Sequence, residues 1–210
     1  MTETEDTSEA FDPDSRIVTA ALSLAGERGW AGLSTRDVAE AAAVPHEELR
    51  RIFPCKASLL AGLARHVEAQ ATAEPVTFDE ADTTRDRLFE LLMRRLDVLE
   101  EHRAGATAIL RDLPRDPVTA LAALPQVMPL FGRILDEAGV SGSGPLGMLR
   151  GKGLAAIWLA TLSVWAEDDS PDYARTMAAL DRNLRRAEPA ARLLDPFAGG
   201  AAPRAEPGGY

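Results

Sequence analysis

The sequence predicts an all-α protein, and three observations carry the prediction. Apolar residues recur at helical spacing along most of the 210 residues. No segment alternates apolar and polar residues in the manner of a half-buried strand. Proline and glycine fall at the edges of the periodic segments, where they start or stop helices. Composition agrees: 46% hydrophobic and 27% charged residues exclude disorder of the whole chain and a collagen-like build. The chain is long enough to bury a core without staples. Its single cysteine, Cys55, excludes an intrachain disulfide and a multi-cysteine zinc site.

In the first helix Val18, Ala21, Leu22 and Ala25 recur at i, i+3, i+4 and i+7, and Gly29 stops it. Ser34 is an N-cap with an acid, Asp37, three residues on, so a second helix starts at Thr35 and ends near residues 42–44. Pro45 suits the first position of a short third helix, because its missing N–H would be unpaired there anyway. That helix ends near Phe53, where Pro54 breaks it. A fourth runs from about Lys56 to Ala71 with Leu59, Leu60, Leu63 and Val67 inward. Residues 74–84 read as a linker. Leu88, Leu91, Leu92, Leu96 and Leu99 form the next stripe, and a short helix from Arg103 to Leu113 is closed by Pro114. Residues 118–138 are helical but carry Pro125 and Pro129, which predict a bend or a split. Residues 139–147 read as a flexible loop, and 148–166 as a central helix buried nearly all round. Ser170-Pro171-Asp172 predicts the start of the last helix, whose stripe is Tyr173, Met177, Leu180 and Leu184. The expected organisation is a disordered acidic tail (1–15), a helix-turn-helix domain (16–66), a larger helical ligand-binding and dimerisation domain (67–188) and a disordered tail (189–210).

Charge narrows the partners. Asp and Glu number 33 against 23 Lys and Arg, a formal −10, which excludes a protein that coats nucleic acid over its whole surface. The acids are uneven. Residues 1–15 hold six (Glu3, Glu5, Asp6, Glu9, Asp12 and Asp14) and no base, whereas residues 16–66 hold seven bases against five acids. A locally basic segment in an acidic chain hints at an anionic partner; ordinary solvated helix faces are the plain alternative. The acidic start is the reverse of a secretory or transit peptide. Gly153–Ala166, read as the longest weakly polar stretch, is too short to span a bilayer. The expectation is a cytoplasmic protein.

Enzymatic motifs are thin, and neither catalysis nor a cofactor is expected. Gly142-Ser143-Gly144-Pro145-Leu146-Gly147 satisfies a GxGxxG string, but no strand precedes it and a proline sits inside it. His46-Glu47-Glu48-Leu49-Arg50 begins like a zinc-protease helix, with Arg50 in place of the second ligand. His46, His66 and His102 are scattered, and Asp168, Asp169 and Asp172 fit no calcium loop, so no metal site is predicted. Cys55 beside Lys56 is either a redox-sensing thiol or a small residue at a turn.

Two short helices joined by a tight turn, with a helix before and one after, suit DNA: the second enters the major groove while the first meets backbone. Residues Gly29-Trp30-Ala31-Gly32-Leu33-Ser34-Thr35-Arg36-Asp37-Val38-Ala39, then Ala43-Val44-Pro45, Leu49, Phe53-Pro54, Lys56 and Leu59-Leu60, carry a likeness. Over about residues 16–66 the chain resembles the N-terminal DNA-binding domain of the TetR family of transcriptional regulators. The resemblance implies Ser34, Thr35 and Lys56 at phosphates and exposed residues of the third helix at bases. The candidate set is Ser34, Thr35, Arg36, Pro45, His46, Arg50, Arg51 and Lys56. It also implies a homodimer through residues 148–187 and a palindromic operator. The chain departs from the family at Ala43, where glycine is usual, and at Pro45, where a small hydroxyl residue is. Arg50 replaces a phosphate-gripping tyrosine, and Glu47 and Glu48 replace small or hydroxyl residues. Arginines suit phosphate or guanine; the glutamates oppose a polyanion. A helix-turn-helix kept only as a packing unit is the competing reading.

Arg85-Asp86-Arg87-Leu88-Phe89, His102-Arg103-Ala104-Gly105 and Leu113-Pro114-Arg115-Asp116-Pro117 frame a second likeness. It is completed by Trp158-Leu159-Ala160-Thr161-Leu162, Asp168-Asp169-Ser170-Pro171-Asp172-Tyr173, Thr176 and Leu180-Asp181. Over roughly residues 85–187 the chain resembles the ninth coenzyme Q protein family, TetR-like in fold, which binds isoprenoid-like lipids and assists ubiquinone biosynthesis. That resemblance implies a partner-binding surface around Trp165–Leu180; core or dimer-interface aromatics at Trp158, Trp165 and Tyr173 are the alternative. The amphipathic membrane helix of that family's eukaryotic members has no counterpart in residues 189–210, which argues against stable membrane association. Either likeness leaves room for an apolar pocket lined by Leu92, Leu96, Leu110, Met128, Phe131, Leu154 and Trp158, residues that plain core packing also explains. Two functions follow: a TetR-type regulator controlled by an apolar ligand, or a non-enzymatic lipid-binding accessory protein with a vestigial reading domain.

Overall fold

The computed structural model describes residues 13–194, and among these the regular structure is helical with no strand. The helices are α1 (Pro13–Arg28), α2 (Thr35–Ala41), α3 (His46–Ile52), α4 (Lys56–Ala71), α5 (Thr84–Glu100), α6 (Arg103–Asp112), α7 (Pro117–Glu137), α8 (Gly144–Trp165) and α9 (Ala174–Leu194). A 3-10 turn at Leu113–Arg115 separates α6 from α7. The chain divides into two units, one of residues up to Val76 with Arg94–Val127, the other of Thr77–Met93 with the residues from Met128 on. The division falls inside α5 and α7. Of the tails expected over 1–15 and 189–210, residues 13–15 lie in α1 and 189–194 in α9, and the rest lie outside the described residues.

In the first unit α1 packs on α2, α4 and, most extensively, α6. Its stripe of Ile17, Val18, Ala21, Leu22 and Ala25 is buried with Trp30, Leu49, Phe53 and Leu59. Each fully buried Leu, Ile or Phe contributes about 1.5–3 kcal/mol relative to exposure. Glycine sets two close approaches. A Cβ on Gly105 would stand 2.1 Å from the Leu22 carbonyl oxygen, so α6 meets the backbone of α1 there. A Cβ on Gly62 would stand 2.4 Å from the Phe53 ring. A buried ion pair joins α4 to α5: Arg95 Nε donates to Glu68 Oε2 at 2.8 Å.

From α7 onward the chain departs from the sequence expectations in four places. First, α7 is one continuous helix through Pro125 and Pro129, so of the expected bend or split the split does not occur. Residues 117–132 contain no charge, a longer run than 153–166, and α7 is long and apolar enough to cross a membrane by length and composition. Second, the segment 139–147 is a seated loop followed by the first turn of α8. The Gly142 amide donates to Asp136 Oδ1 at 2.8 Å, and a Cβ on Gly142 would stand 2.2 Å from the Gly132 carbonyl oxygen. Gly142 therefore serves close packing against α7, Gly147 close packing against Gly142, and Gly144 a left-handed backbone at φ 71, which together explain the GxGxxG string structurally. Third, α8 buries Leu154, Leu162 and Trp165 but exposes Met148, Leu149 and Leu159, so it is not buried all round. Fourth, α9 begins at Ala174 rather than at Pro171, and it continues through Pro189 to Leu194.

The delayed start of α9 has a physical cause. Asp168, 1% exposed, accepts from the Thr176 amide at 2.8 Å, the Thr176 hydroxyl at 2.7 Å and the Ser170 hydroxyl at 2.6 Å. The carboxylate satisfies helix N-terminal donors from outside the helix, and the chain turns back through Tyr173 at φ 51 to let it. These donors, the Ser170 and Thr176 hydroxyls foremost, hold the Asp168 carboxyl well below its ordinary value. Asp168 takes the capping role that the sequence suggests for Ser170, while Asp172 Oδ1 accepts from the Ala174 amide at 3.3 Å.

Candidate nucleic-acid interface

The interface is built from two short helices and the loops that fix them. Helix α2 starts on a reciprocal cap: the Asp37 amide donates to Ser34 Oγ at 3.2 Å, and the Ser34 amide donates to Asp37 Oδ2 at 2.9 Å. The Ser34 hydroxyl also donates to Asp37, and this hydrogen bonding keeps the Asp37 carboxyl below the usual range. Val38 and Ala39 anchor α2 in the core. The chain leaves α2 through Ala43 at φ 52, the left-handed conformation in which an L side chain is strained. Here the departure from glycine has a structural cost.

Arg16, in the first turn of α1, stabilises the α2–α3 turn. Its guanidinium donates to the carbonyls of Ala42 at 2.7 Å and Ala43 at 3.4 Å. Pro45 is the N-cap of α3 rather than its first residue, and it supplies no side-chain cap. Thr35 and His46, both half-buried, share a hydrogen bond at 3.1 Å between Oγ1 and Nε2, which ties the start of α2 to the start of α3. Leu49 is fully buried and Phe53 nearly so, and together they lock the inner side of α3. The outer side carries Glu47, Arg50 and Arg51 at i, i+3 and i+4, all exposed. Among the described residues no hydrogen bond or ion pair engages Arg50 or Arg51, so Glu47 and Glu48 do not close on them. The glutamates occupy the first turn of α3 and the arginines its last, the arrangement that the helix dipole favours.

The loop from α1 to α2 is held from α4 and α6. Lys56 Nζ donates to the carbonyls of Trp30 at 2.6 Å and Ala31 at 3.3 Å and lies 5.1 Å from the centroid of the Trp30 ring. Partial burial pushes the Lys56 ammonium below its ordinary value, against the pull of Asp116 and Asp112. Asp112, at the end of α6, accepts from the Ala31 amide at 3.0 Å, and that bond is the main reason its carboxyl sits low.

The predicted residues therefore divide. Arg36, Pro45, Arg50 and Arg51 are exposed. Ser34 is exposed but engaged in its cap, and Thr35 and His46 bond each other. Lys56, expected at a phosphate, turns its ammonium to two backbone carbonyls. Arg16 and Asp112 escape sequence reasoning, because their partners lie 26 and 81 residues away and backbone carbonyls and amides leave no signature in a sequence. Of the predicted pocket residues, Leu92, Leu96, Phe131 and Leu154 are buried, whereas Leu110, Met128 and Trp158 are half-exposed. One cavity of about 190 Å³ lies in the first unit, lined by residues of α1 and α4 with Phe53, and none of the predicted residues lines it.

Residues 17–63 match the sequence model of the family described as bacterial regulatory proteins, tetR family. Two solved structures are similar over most of the chain. The TetR transcriptional regulator from Nitrosomonas europaea ATCC 19718 is 24% identical with a TM-score of 0.63, covering 84% of this chain and 99% of that one. A TetR transcriptional regulator from Rhodococcus sp. RHA1 is 21% identical with a TM-score of 0.58, covering 85% of this chain and 96% of that one. No curated protein matches. The chain thus has a TetR-like fold with an N-terminal domain of the TetR type. The likeness of residues 85–187 to the ninth coenzyme Q protein family gains no support from these matches.

Proposed function

We propose that this protein is a non-enzymatic, DNA-binding transcriptional regulator that acts as a homodimer on a palindromic operator. One observation carries the reading. A short helix of a helix-turn-helix, locked on its inner side by Leu49 and Phe53, presents Arg50 and Arg51 outward, with no engagement among the described residues. Arginine is the residue best shaped for phosphate oxygens or for the O6 and N7 edge of guanine. In this reading Arg36, Arg50 and Arg51 meet the DNA. Ser34, Thr35, His46 and Lys56 position the two helices and offer their remaining hydrogen-bonding capacity to phosphates. The exposed apolar residues of α8, Met148, Leu149 and Leu159, support the dimer through residues 148–187. An apolar ligand that favours one conformation of the dimer completes the reading, with Phe131, Leu154 and the half-exposed Trp158 as candidates for its contacts.

Fluorescence anisotropy with duplexes from the DNA flanking the gene tests it. The wild type should bind one duplex with strong salt dependence. Replacing both Arg50 and Arg51 by alanine removes four cations per dimer and should weaken binding about tenfold or more and lower the salt slope by up to about four. A wild type with no salt-sensitive affinity for any flanking duplex rules the reading out.

A further inference from the structure

The charge around α3 changes sign when the N-terminal segment is counted. Residues 16–66 carry seven bases and five acids, a formal +2; the six acids of residues 1–15 turn the sum to −4. Five of those acids, Glu3, Glu5, Asp6, Glu9 and Asp12, precede α1 within twelve residues that hold no Lys, Arg or His. The described chain begins close to the turn that leads into α3. Arg16, three residues after Pro13, donates to the Ala42 carbonyl at 2.7 Å, and α3 starts four residues later at His46. A helical rise of about 1.5 Å per residue places Arg50 and Arg51 only about 6–8 Å further along α3. Twelve residues extend to about 40 Å, so the segment reaches both arginines. Neither arginine forms a hydrogen bond or ion pair with Glu47 or Glu48.

We propose that residues 1–12 dock within the molecule on the exposed cationic side of α3, at Arg50 and Arg51, and compete there with nucleic-acid phosphates. The consequence for DNA rests on the function proposed above; the docking itself does not. Tethering through a short stretch of chain gives an effective concentration on the order of millimolar. Non-specific DNA, held almost entirely by phosphate contacts with dissociation constants of about 10⁻⁴–10⁻⁶ M, is the competitor most easily displaced. An operator that adds contacts to bases displaces the segment in turn. The acidic segment therefore sharpens discrimination by penalising binding that is purely electrostatic.

The test compares the full chain with a variant of it carrying Glu3→Gln, Glu5→Gln, Asp6→Asn, Glu9→Gln and Asp12→Asn, side chains of nearly the same size. Without DNA, phenylglyoxal modification followed by mass spectrometry reads the accessibility of each arginine, with the exposed Arg182 of α9 as reference. At low salt, Arg50 and Arg51 should react about three- to fivefold more slowly in the full chain than in the variant, and the difference should vanish at about 1 M salt, where screening is short-ranged. Equal rates at low salt overturn the proposal. With a duplex of unrelated sequence, the variant should bind about five- to tenfold more tightly at low salt. Adding Arg50→Ala and Arg51→Ala to the variant should abolish that gain. Equal affinities of chain and variant, with both binding, also overturn it. Protection of the two arginines in a chain that binds no duplex supports the docking and removes the DNA-reading function instead.

Discussion

At the α2–α3 turn a guanidinium reaches across 26 residues of sequence to two carbonyls, whereas at the α8–α9 corner a carboxylate reaches two and eight residues along the chain to hydroxyls and amides. Both devices answer the same need, because helix ends leave backbone groups without intrahelical partners. A helix that is ending presents carbonyls, and the first unit meets them with cations: Arg16 on Ala42 and Ala43, and Lys56 on Trp30 and Ala31. A helix that is starting presents N–H groups, and the second unit meets those of α9 with Asp168. Exposure separates the two further. Asp168 is sealed from solvent, while the cationic clamps lie in half-buried or exposed places. A sealed group cannot be replaced by water, so its loss is felt more.

Five experiments sharpen or break that comparison. The largest effect belongs to the buried ion pair of the first unit, which is not one of its helix-end clamps. Glu68→Ala leaves Arg95 without its carboxylate and should destabilise by about 3–5 kcal/mol in urea unfolding; a loss under about 1 kcal/mol would show that solvent reaches the pair. Next comes Asp168→Ala, which strands the Thr176 amide and hydroxyl and should lower the unfolding midpoint more than any change to Lys56 or Arg16.

Asp168 also gives a pH signature with a definite sign. Its carboxyl is depressed in the folded chain from an ordinary value of 3.8, so the stability it adds is complete above that value. As pH falls below it, the stability difference between wild type and Asp168→Asn should shrink. A difference that stays constant from pH 6 to pH 2, about two units on either side of ordinary carboxylate titration, would mean the carboxylate charge is not what matters.

Smaller still is Lys56→Ala. Two bonds from an ammonium to carbonyls are lost, but the group is mostly solvated, so about 1 kcal/mol is expected. Hydrogen exchange at residues 29–33 should accelerate with it, and unchanged exchange would break the assignment of Lys56 as the loop's clamp. The smallest effect is a gain. Ala43→Gly relieves a left-handed residue, worth about 1–2 kcal/mol, against glycine's entropic cost of about 0.5–1 kcal/mol. A net stabilisation near 0.5 kcal/mol should appear as a higher urea midpoint; a lower midpoint would place Ala43 outside the left-handed region in solution.

Local chemistry made much of the fold legible. The α2 cap at Ser34 and Asp37 lies within four residues of chain and forms as the sequence predicts. So does the α1 stripe of Val18, Ala21, Leu22 and Ala25, because helical spacing alone puts them on one side. The start of α9 was misplaced because two local patterns compete there. Ser-Pro-Asp is an adequate helix start, but Asp168 offers more hydrogen bonds to the same donors once Tyr173 turns back. At the candidate interface, residue type identified Arg50 and Arg51 as cations, and only the packing of Leu49 and Phe53 shows that they face outward. Lys56 is the reverse case: the family resemblance implied a phosphate, and in the fold its ammonium donates to the neighbouring Trp30 and Ala31 carbonyls.

By itself the amino-acid sequence determined which segments are helical, where most of them stop, and that a basic helix-turn-helix lies inside an acidic chain. These follow from periodicity, caps, proline and charge, all of which act over one or two turns. Tertiary structure alone decided which charges are occupied and which are exposed. A carbonyl or an amide becomes available to Arg16, Lys56 or Asp112 only where folding leaves it unpaired beside that side chain, and every residue carries the same backbone groups.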